Sequence, residues 1–300
     1  MSATYICVME AENPAVGLTD RGSQRSSIVQ HGRLLVCATP IGNLEDVTMR
    51  VLEALREAGI VACEDTRHTK VLLDRHGIRA RLVSYHEHNE RARSQELVAR
   101  MQAGAVVALV SDAGMPLVSD PGFALVRACL EVGLPVEVLP GPSAVVTAIV
   151  ASGLPAERWR FVGFLPRKRS ELVRMVTHTP ETLVAFESPR RVASTLRLLA
   201  ESDPERPVAV CRELTKRHEE VRRGSAAELA SHYGERAPKG EVVLVVGVGS
   251  AQAAQLPAAL AALRELVAAG AKPRPAATVV ARLTGVGANE LYRELTRAGQ

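Results

Sequence analysis

Short apolar runs recur along the chain, each closed by glycine, proline or small polar residues. Positions 34–37 (LLVC), 60–63 (IVAC), 106–110 (VVALV) and 136–139 (VEVL) are of this kind. Such runs predict strands buried in a sheet core. Helical spacing appears between them. Met49, Leu52 and Leu55 share a face behind a cap at Asp46 or Thr48, and Phe123, Val126, Cys129 and Leu130 mark a second helix. Alternating strands and helices predict a parallel sheet with helices on both faces over residues 32–152. A composition break at Gly153-Leu154-Pro155 predicts a boundary. Beyond it, runs at 182–186, 208–211 and 241–246 repeat the style and predict a second α/β domain over 153–250. Residues 251–300 predict a small helical domain. It has an Ala/Leu-rich helix over 256–269, a break at Pro273 and Pro275, and helices over 276–284 and 289–298. That is little chain for a self-sufficient core. Residues 1–31 show no sustained period and read as a flexible extension, or as sequence upstream of the true start.

Composition narrows the class. A chain of 300 residues suits about two domains. Aromatics are 3 % of it, so the cores are Leu, Val and Ala, and a broad aromatic platform for single-stranded nucleic acid is disfavoured. The net charge of +4 permits an acidic partner without requiring one. Cys7, Cys37, Cys63, Cys129 and Cys211 are odd in number and none lies at metal or redox spacing. A reducing, cytoplasmic location and no metal site are expected. No apolar run approaches the ~18 residues of a membrane span, and the first residues lack the order of a secretion signal.

Three segments carry the candidate chemistry: 39–42 (TPIG), 112–116 (DAGMP) and 141–144 (GPSA). Each follows a predicted strand at its carboxyl end, where open parallel sheets bind ligands. Small residues let a ligand approach the backbone. The plainer reading is turn punctuation. No phosphate loop ending in Lys-Ser or Lys-Thr is present. Residues 247–250 (GVGS) lack the third glycine of a dinucleotide fingerprint and close the last strand. A neutral adenosine with a zwitterionic tail is compatible, held by backbone groups, an apolar slot and a carboxylate such as Asp112.

Residues 38–48 (ATPIGNLEDVT), 64–69 (EDTRHT) and 111–122 (SDAGMPLVSDPG) closely resemble the RsmI family. These are ribosomal small-subunit RNA cytidine 2′-O-methyltransferases within the tetrapyrrole methylase superfamily. Residues 139–143 (LPGPS), 163–166 (GFLP), 187–191 (ESPRR), 212–216 (RELTK) and 238–241 (PKGE) add to the match, which spans about 33–249. The helical end resembles the family's C-terminal domain. The resemblance implies an α/β, two-domain tetrapyrrole-methylase-like fold with a small C-terminal helical domain. It implies S-adenosyl-L-methionine in the cleft between the α/β domains and a homodimer. The implied substrate is a decoding-centre cytidine of 16S rRNA in the small ribosomal subunit. Donor contacts are implied at Ile41, Asp112, Ala113, Gly114, Met115, Ser143 and Ala144, and from the second domain at Phe186, Glu213 and Lys239. Met115 departs from the Thr common in the family. A backbone contact survives that change; a hydroxyl contact does not.

Methyl transfer to a ribose hydroxyl needs alignment and a destination for the proton. Glu64, Asp65 and His86 are candidate bases, with Glu87 and His88 near them. Glu64 and Asp65 directly follow a strand and are expected on the cleft rim, whereas 85–90 (YHEHNE) also reads as a solvated loop. Arg167, Lys168, Arg169, Arg190 and Arg191, with Lys216-Arg217 and Arg222-Arg223, concentrate in the second domain. They are expected to hold rRNA phosphates, against the reading of a solvated charged face. Two rival functions remain open: methylation of a tetrapyrrole-like small molecule, and a non-catalytic ribosome-assembly factor. The EDTRHT string and the helical end favour the rRNA reading.

Overall fold

A computed structural model describes residues 32–235 and 237–297. The expected extension at 1–31 lies outside them. The first sheet holds β1 (Arg33–Cys37), β2 (Ile60–Cys63), β3 (Arg81–Ser84), β4 (Val106–Val110) and β5 (Val136–Leu139), all parallel, in the order β3-β2-β4-β1-β5. Alternate residues face opposite layers. Leu35, Cys37, Val61 and Val110 pack with α1 (Met49–Glu57) and α2 (Thr66–Arg75). Leu34, Val36, Ala62 and Leu109 pack with α3 (Glu90–Gln102) and α4 (Phe123–Glu131). Burial on both faces explains why the central runs show no polar alternation. Thr48, not Asp46, caps α1: its Oγ1 accepts from the Val51 N–H at 3.2 Å. The apolar pattern predicts nothing over 66–102, where α2, β3 and α3 form. β3 is an edge strand with no buried residue, and α3 (ERARSQELVARMQ) is largely charged.

The second sheet corrects the expectation that the parallel style repeats. It holds β6 (Trp159–Phe164), β7 (Thr182–Glu187), β8 (Pro207–Arg212), β9 (Glu220–Ser225) and β10 (Val242–Val246) in the order β6-β7-β10-β8-β9. β6 and β7 are parallel. β10 runs antiparallel to β7 and to β8, and β8 to β9. The short β8–β9 connection allows antiparallel pairing; a parallel return needs a crossover of a dozen or more residues. One face is covered by α6 (Arg169–His178), α7 (Val192–Ser202) and α8 (Ala226–Glu235). The other is covered by α5 (Ala144–Ser152), which precedes the expected boundary. Its Val145, Ala148 and Ile149 are buried with Val184, Ala209, Cys211 and Val243. The last helix of the first half therefore belongs to the core of the second.

α9 (Ser250–Ala268), α10 (Pro273–Thr284) and α11 (Ala288–Arg297) enclose their own cluster of Ala259, Leu263, Ala277, Val280 and Leu291. Pro273 opens α10 instead of breaking a helix. At that position the amide it lacks would have had no intrahelical partner.

β7 ends on Glu187, whose side chain is fully buried. Its carboxylate accepts from the Ser188 N–H at 2.8 Å and the Thr195 hydroxyl at 2.7 Å, and pairs with Arg191 at 3.4 Å. Arg191 also donates to the carbonyls of Leu165 (3.1 Å) and Pro166 (2.7 Å), tying the end of β7 to the chain leaving β6. Arg191→Ala is expected to lower the unfolding free energy by about 2–3 kcal/mol, because a buried carboxylate loses its cation. Arg191→Lys should recover only part, since an ammonium cannot fork across three acceptors. Denaturant titration of both variants measures this.

Candidate active site

The order β3-β2-β4-β1-β5 places the topological switch between β1 and β4. From β1 the chain moves toward β2; from β4 it moves the other way, to β5. Open α/β sheets bind ligands beyond the strand ends at such a point. The loops leaving β1 and β4 are clasped there. The Thr39 N–H donates to the Gly114 carbonyl at 2.8 Å, and the Gly114 N–H donates back at 3.0 Å. The Thr39 hydroxyl donates to the Ser111 carbonyl at 3.0 Å. Gly114 has φ +80°, a conformation glycine adopts without steric cost.

Backbone strain concentrates around the same place. Among the described residues, the non-glycine residues with positive φ are Leu117 (74°), Ser119 (69°), Glu213 (51°) and Thr215 (65°). Each costs about 1–3 kcal/mol, and such strain gathers at functional sites. The two strained segments come from different sheets. The loop after β1 meets the second of them, the Asn43 N–H donating to the Thr215 hydroxyl at 3.0 Å. Gly42 permits this: a Cβ there would lie 2.4 Å from Lys216 Cγ and 2.9 Å from the Leu214 carbonyl.

Between the sheets lies a cavity of about 340 Å³, in the size range of small-molecule sites. Ile41, Ala113, Ala144, Phe186, Leu214 and Val243 supply apolar wall. Asp112, Ser119, Asp120 and Glu241 supply polar wall. Asp112 Oδ1 accepts from the Asp65 N–H at 3.1 Å. Burial pushes the Asp120 carboxyl up to about 6, helped by the charges of Glu64 and Asp112 against a hydrogen bond from Ser111. Burial also raises Glu64, as does Asp112, while His86 opposes the rise. Glu64, Asp112 and Asp120 thus form one electrostatically linked group at the ends of β2 and β4.

Of the residues implied as donor contacts, Ile41, Asp112, Ala113, Ala144 and Phe186 line the cavity. The others do not line it. Gly114 is locked in the bridge. Met115 packs against the α3–α4 layer. Ser143 caps α5, accepting from the Val146 N–H at 3.4 Å. The Glu213 carboxylate accepts from the Glu241 N–H and from Lys216 Nζ, each at 2.9 Å. Lys239 is exposed, its carbonyl accepting from Arg212 at 3.2 Å.

The candidate bases separate in the same way. Asp65 caps α2 and is ion-paired to Arg67 at 2.7 Å, which lowers its carboxyl to about 2. So acidic a group is a weak proton acceptor. His86 Nε2 lies 3.3 Å from the Asn89 amide, and its Nδ1 is buried without a partner. Sequence reasoning missed Ser119 and Glu241 on the polar wall, and above all Asp120. It lies within the SDPG string, but only the left-handed Leu117 and Ser119 fold it back beside Asp112.

Most of the expected RNA contacts are engaged within the protein. Arg169 pairs with Glu201 at 2.6 Å, Lys168 with Glu171 at 3.2 Å, and Arg191 with Glu187. Arg222 pairs with Glu220 at 3.3 Å, and Arg223 donates to the carbonyls of Ala151 and Ser152. Arg167, Arg190 and Arg217 are exposed.

Residues 33–230 match the tetrapyrrole (corrin/porphyrin) methylase family. The chain is 48 % identical to ribosomal RNA small subunit methyltransferase I of Mesorhizobium japonicum, over 87 % of this chain and 90 % of that protein. It is 44 % identical to the protein of that name from Micromonospora olivasterospora, over 92 % and 90 % of the two chains. It is 42 % identical to the one from Escherichia coli O157:H7, over 87 % and 94 %. Among solved structures it resembles uroporphyrin-III-C-methyltransferase from Thermus thermophilus, with a TM-score of 0.53 and 27 % identity, over 72 % of this chain and 94 % of that one. The architecture, the clasped loops at the switch point and these likenesses together place the chain among the tetrapyrrole methylases, in the family of ribosomal RNA small subunit methyltransferase I.

Proposed function

We propose that this protein transfers a methyl group from S-adenosylmethionine to the ribose 2′-oxygen of a cytidine in 16S rRNA of the small ribosomal subunit. The observation that carries the reading is the cavity at the switch point, walled by both sheets and flanked by acidic groups on the first. Relatives at 42–48 % identity named for small-subunit rRNA favour RNA over a tetrapyrrole.

The wall chemistry fits the donor. Ile41, Ala113, Ala144 and Leu214 offer an apolar slot for adenosine, and the Asp112 carboxylate offers negative charge to a sulfonium. When bound, the donor supplies a methyl carbon on positively charged sulfur. Asp112, held by the Asp65 N–H, would supply a negative charge to balance it. Asp120 accepts the proton that the ribose hydroxyl gives up. With a pKa of about 6 it is ionised at neutral pH yet far more basic than Asp65, which suits a general base. Exposed Arg167 and Arg190 contact phosphates.

The protein works as a cytoplasmic homodimer on this reading. Val138 on edge strand β5 and Phe123 and Leu130 on adjacent α4 are exposed apolar groups suited to a second copy. The thiols of Cys37, Cys63, Cys129 and Cys211 are unpaired, as a reducing compartment favours.

Purified small subunits incubated with the protein and labelled donor are expected to gain label on one cytidine ribose of 16S rRNA. Label on a base, or on a tetrapyrrole in preference to the subunit, would contradict the reading. Asp120→Asn should slow single-turnover methylation by roughly 10²–10⁴-fold, as loss of a general base does, with donor affinity largely kept. The wild-type rate should fall as pH drops below about 6. The folded pKa lies above the ordinary aspartate value of 3.8, so ionised Asp120 destabilises the native state and stability declines as pH rises from about 4 to about 6. Asp120→Asn should therefore also raise the melting temperature at pH 7. A variant both less stable and equally active would remove Asp120 from the mechanism.

A further inference from the structure

We infer that Phe164 is the platform on which the target nucleobase stacks once it has swung out of the rRNA beside the donor cavity. The inference rests on the rRNA reading above and names the residue that receives the base.

The chain has four phenylalanines; Phe164 and Phe186 line the cavity, and Phe161 packs against Phe186. The ring of Phe186 lies 5.0 Å from that of Phe161 and 5.6 Å from that of Phe164. Phe161 and Phe186 are packed into the apolar layer beneath α5. Phe164 lines the cavity yet is 63 % exposed.

The backbone is built to put it there. In β6, Phe161 belongs to the α5 layer and Val162 to the opposite layer, with α6 and α7. Strict alternation would turn Gly163 to the cavity and send Phe164 into the opposite core. Instead the pairing with β7 shifts between Phe161 and Phe164, and Gly163 takes φ +66°. The parity reverses: Phe164 comes to lie opposite Phe186 on the cavity side, and Leu165 is buried in the opposite layer. A bulge that re-aims one side chain is a recurrent device beside active sites. Here it moves a large apolar ring from the opposite core to the cavity side, where Phe186 is its ring partner among the described residues and the ring stays largely exposed. A lone exposed apolar residue needs no explanation; one placed by a bulge against the cavity does.

The chemistry asks for such a surface. The acceptor ribose must reach a donor held between two sheets, and a nucleotide swung out of its stack enters such a cavity as bases do in base-flipping enzymes. RNA-binding proteins receive a freed base on an aromatic face. One ring suffices for one base, which accords with a chain too poor in aromatics for a broad platform. A phenylalanine offers no hydrogen bonds, so Phe164 supplies affinity and orientation without selecting cytosine.

The experiment compares Phe164→Ala, Phe164→Leu and Phe164→Trp with the wild type. It reads three quantities: affinity for purified small subunits, single-turnover methylation, and donor affinity by calorimetry. Ala and Leu should both weaken subunit binding by roughly 5- to 150-fold, the range of one base–aromatic stack. Trp should retain binding, and donor affinity should hold in all three. Leu keeps apolar bulk without a π face, so a Leu variant that binds and methylates like the wild type overturns the inference. Loss of donor affinity overturns it too, because Phe164 would then belong to the donor's own wall. Failure of the wild type to methylate subunits at all would instead sink the rRNA reading.

Discussion

Two hydrogen bonds between Thr39 and Gly114 hold together loops that the sheet would otherwise send apart. β1 and β4 are parallel neighbours, but α1 lies on one face of the sheet and α4 on the other. Past the strand ends the two chains must diverge, and divergence opens the crevice. The bridge, with the Thr39 hydroxyl on the Ser111 carbonyl, delays that divergence by a few residues. Ile41 from one loop and Asp112 and Ala113 from the other therefore line one cavity. The left-handed Gly114 is what lets the second loop turn for the bridge, and Leu117 and Ser119 then return the chain so that Asp120 faces the cavity as well.

The second sheet completes the enclosure because the two halves share structure. α5 starts at the third loop of the first half and buries its apolar face against the second sheet. Gly42 lets the first loop touch the strained 213–216 segment. Asp112 and Asp120 face the cavity from the first half together with Ile41 and Ala113, and the second sheet adds Phe164, Phe186, Leu214 and Val243 together with Glu241.

The sequence made some of this legible and hid the rest for physical reasons. The central strands β1, β2 and β4 are buried on both faces and so read as unbroken apolar runs. β3 and α3 carry too much polar surface to stand out. The direction of β10 was hidden, since VVLVV pairs equally well either way. α5 (AVVTAIVAS) is apolar nearly all round and suits the core of either half. The three small-residue loops were legible because close approach selects such residues. Asp120 and Phe164 were not, because each depends on a left-handed backbone turn that side-chain pattern does not encode. Arg191 shows the opposite limit. A basic pair reads alike whether it faces phosphate or, as here, a buried glutamate.

In the function proposed above, the clasped crevice holds the donor and the RNA enters over the phenylalanine side. Ala144 tests it most directly. It is the first residue of α5, lines the cavity, and sits where a larger helix-forming side chain would fill the slot without disturbing the helix. The decisive measurement is calorimetric titration of S-adenosylmethionine into wild-type protein and Ala144→Leu, with melting temperatures recorded beside it. The expected result is a loss of about tenfold or more in donor affinity, ~1.4 kcal/mol, at an unchanged melting temperature. Unchanged affinity in the folded variant would contradict the placement of the donor between the sheets.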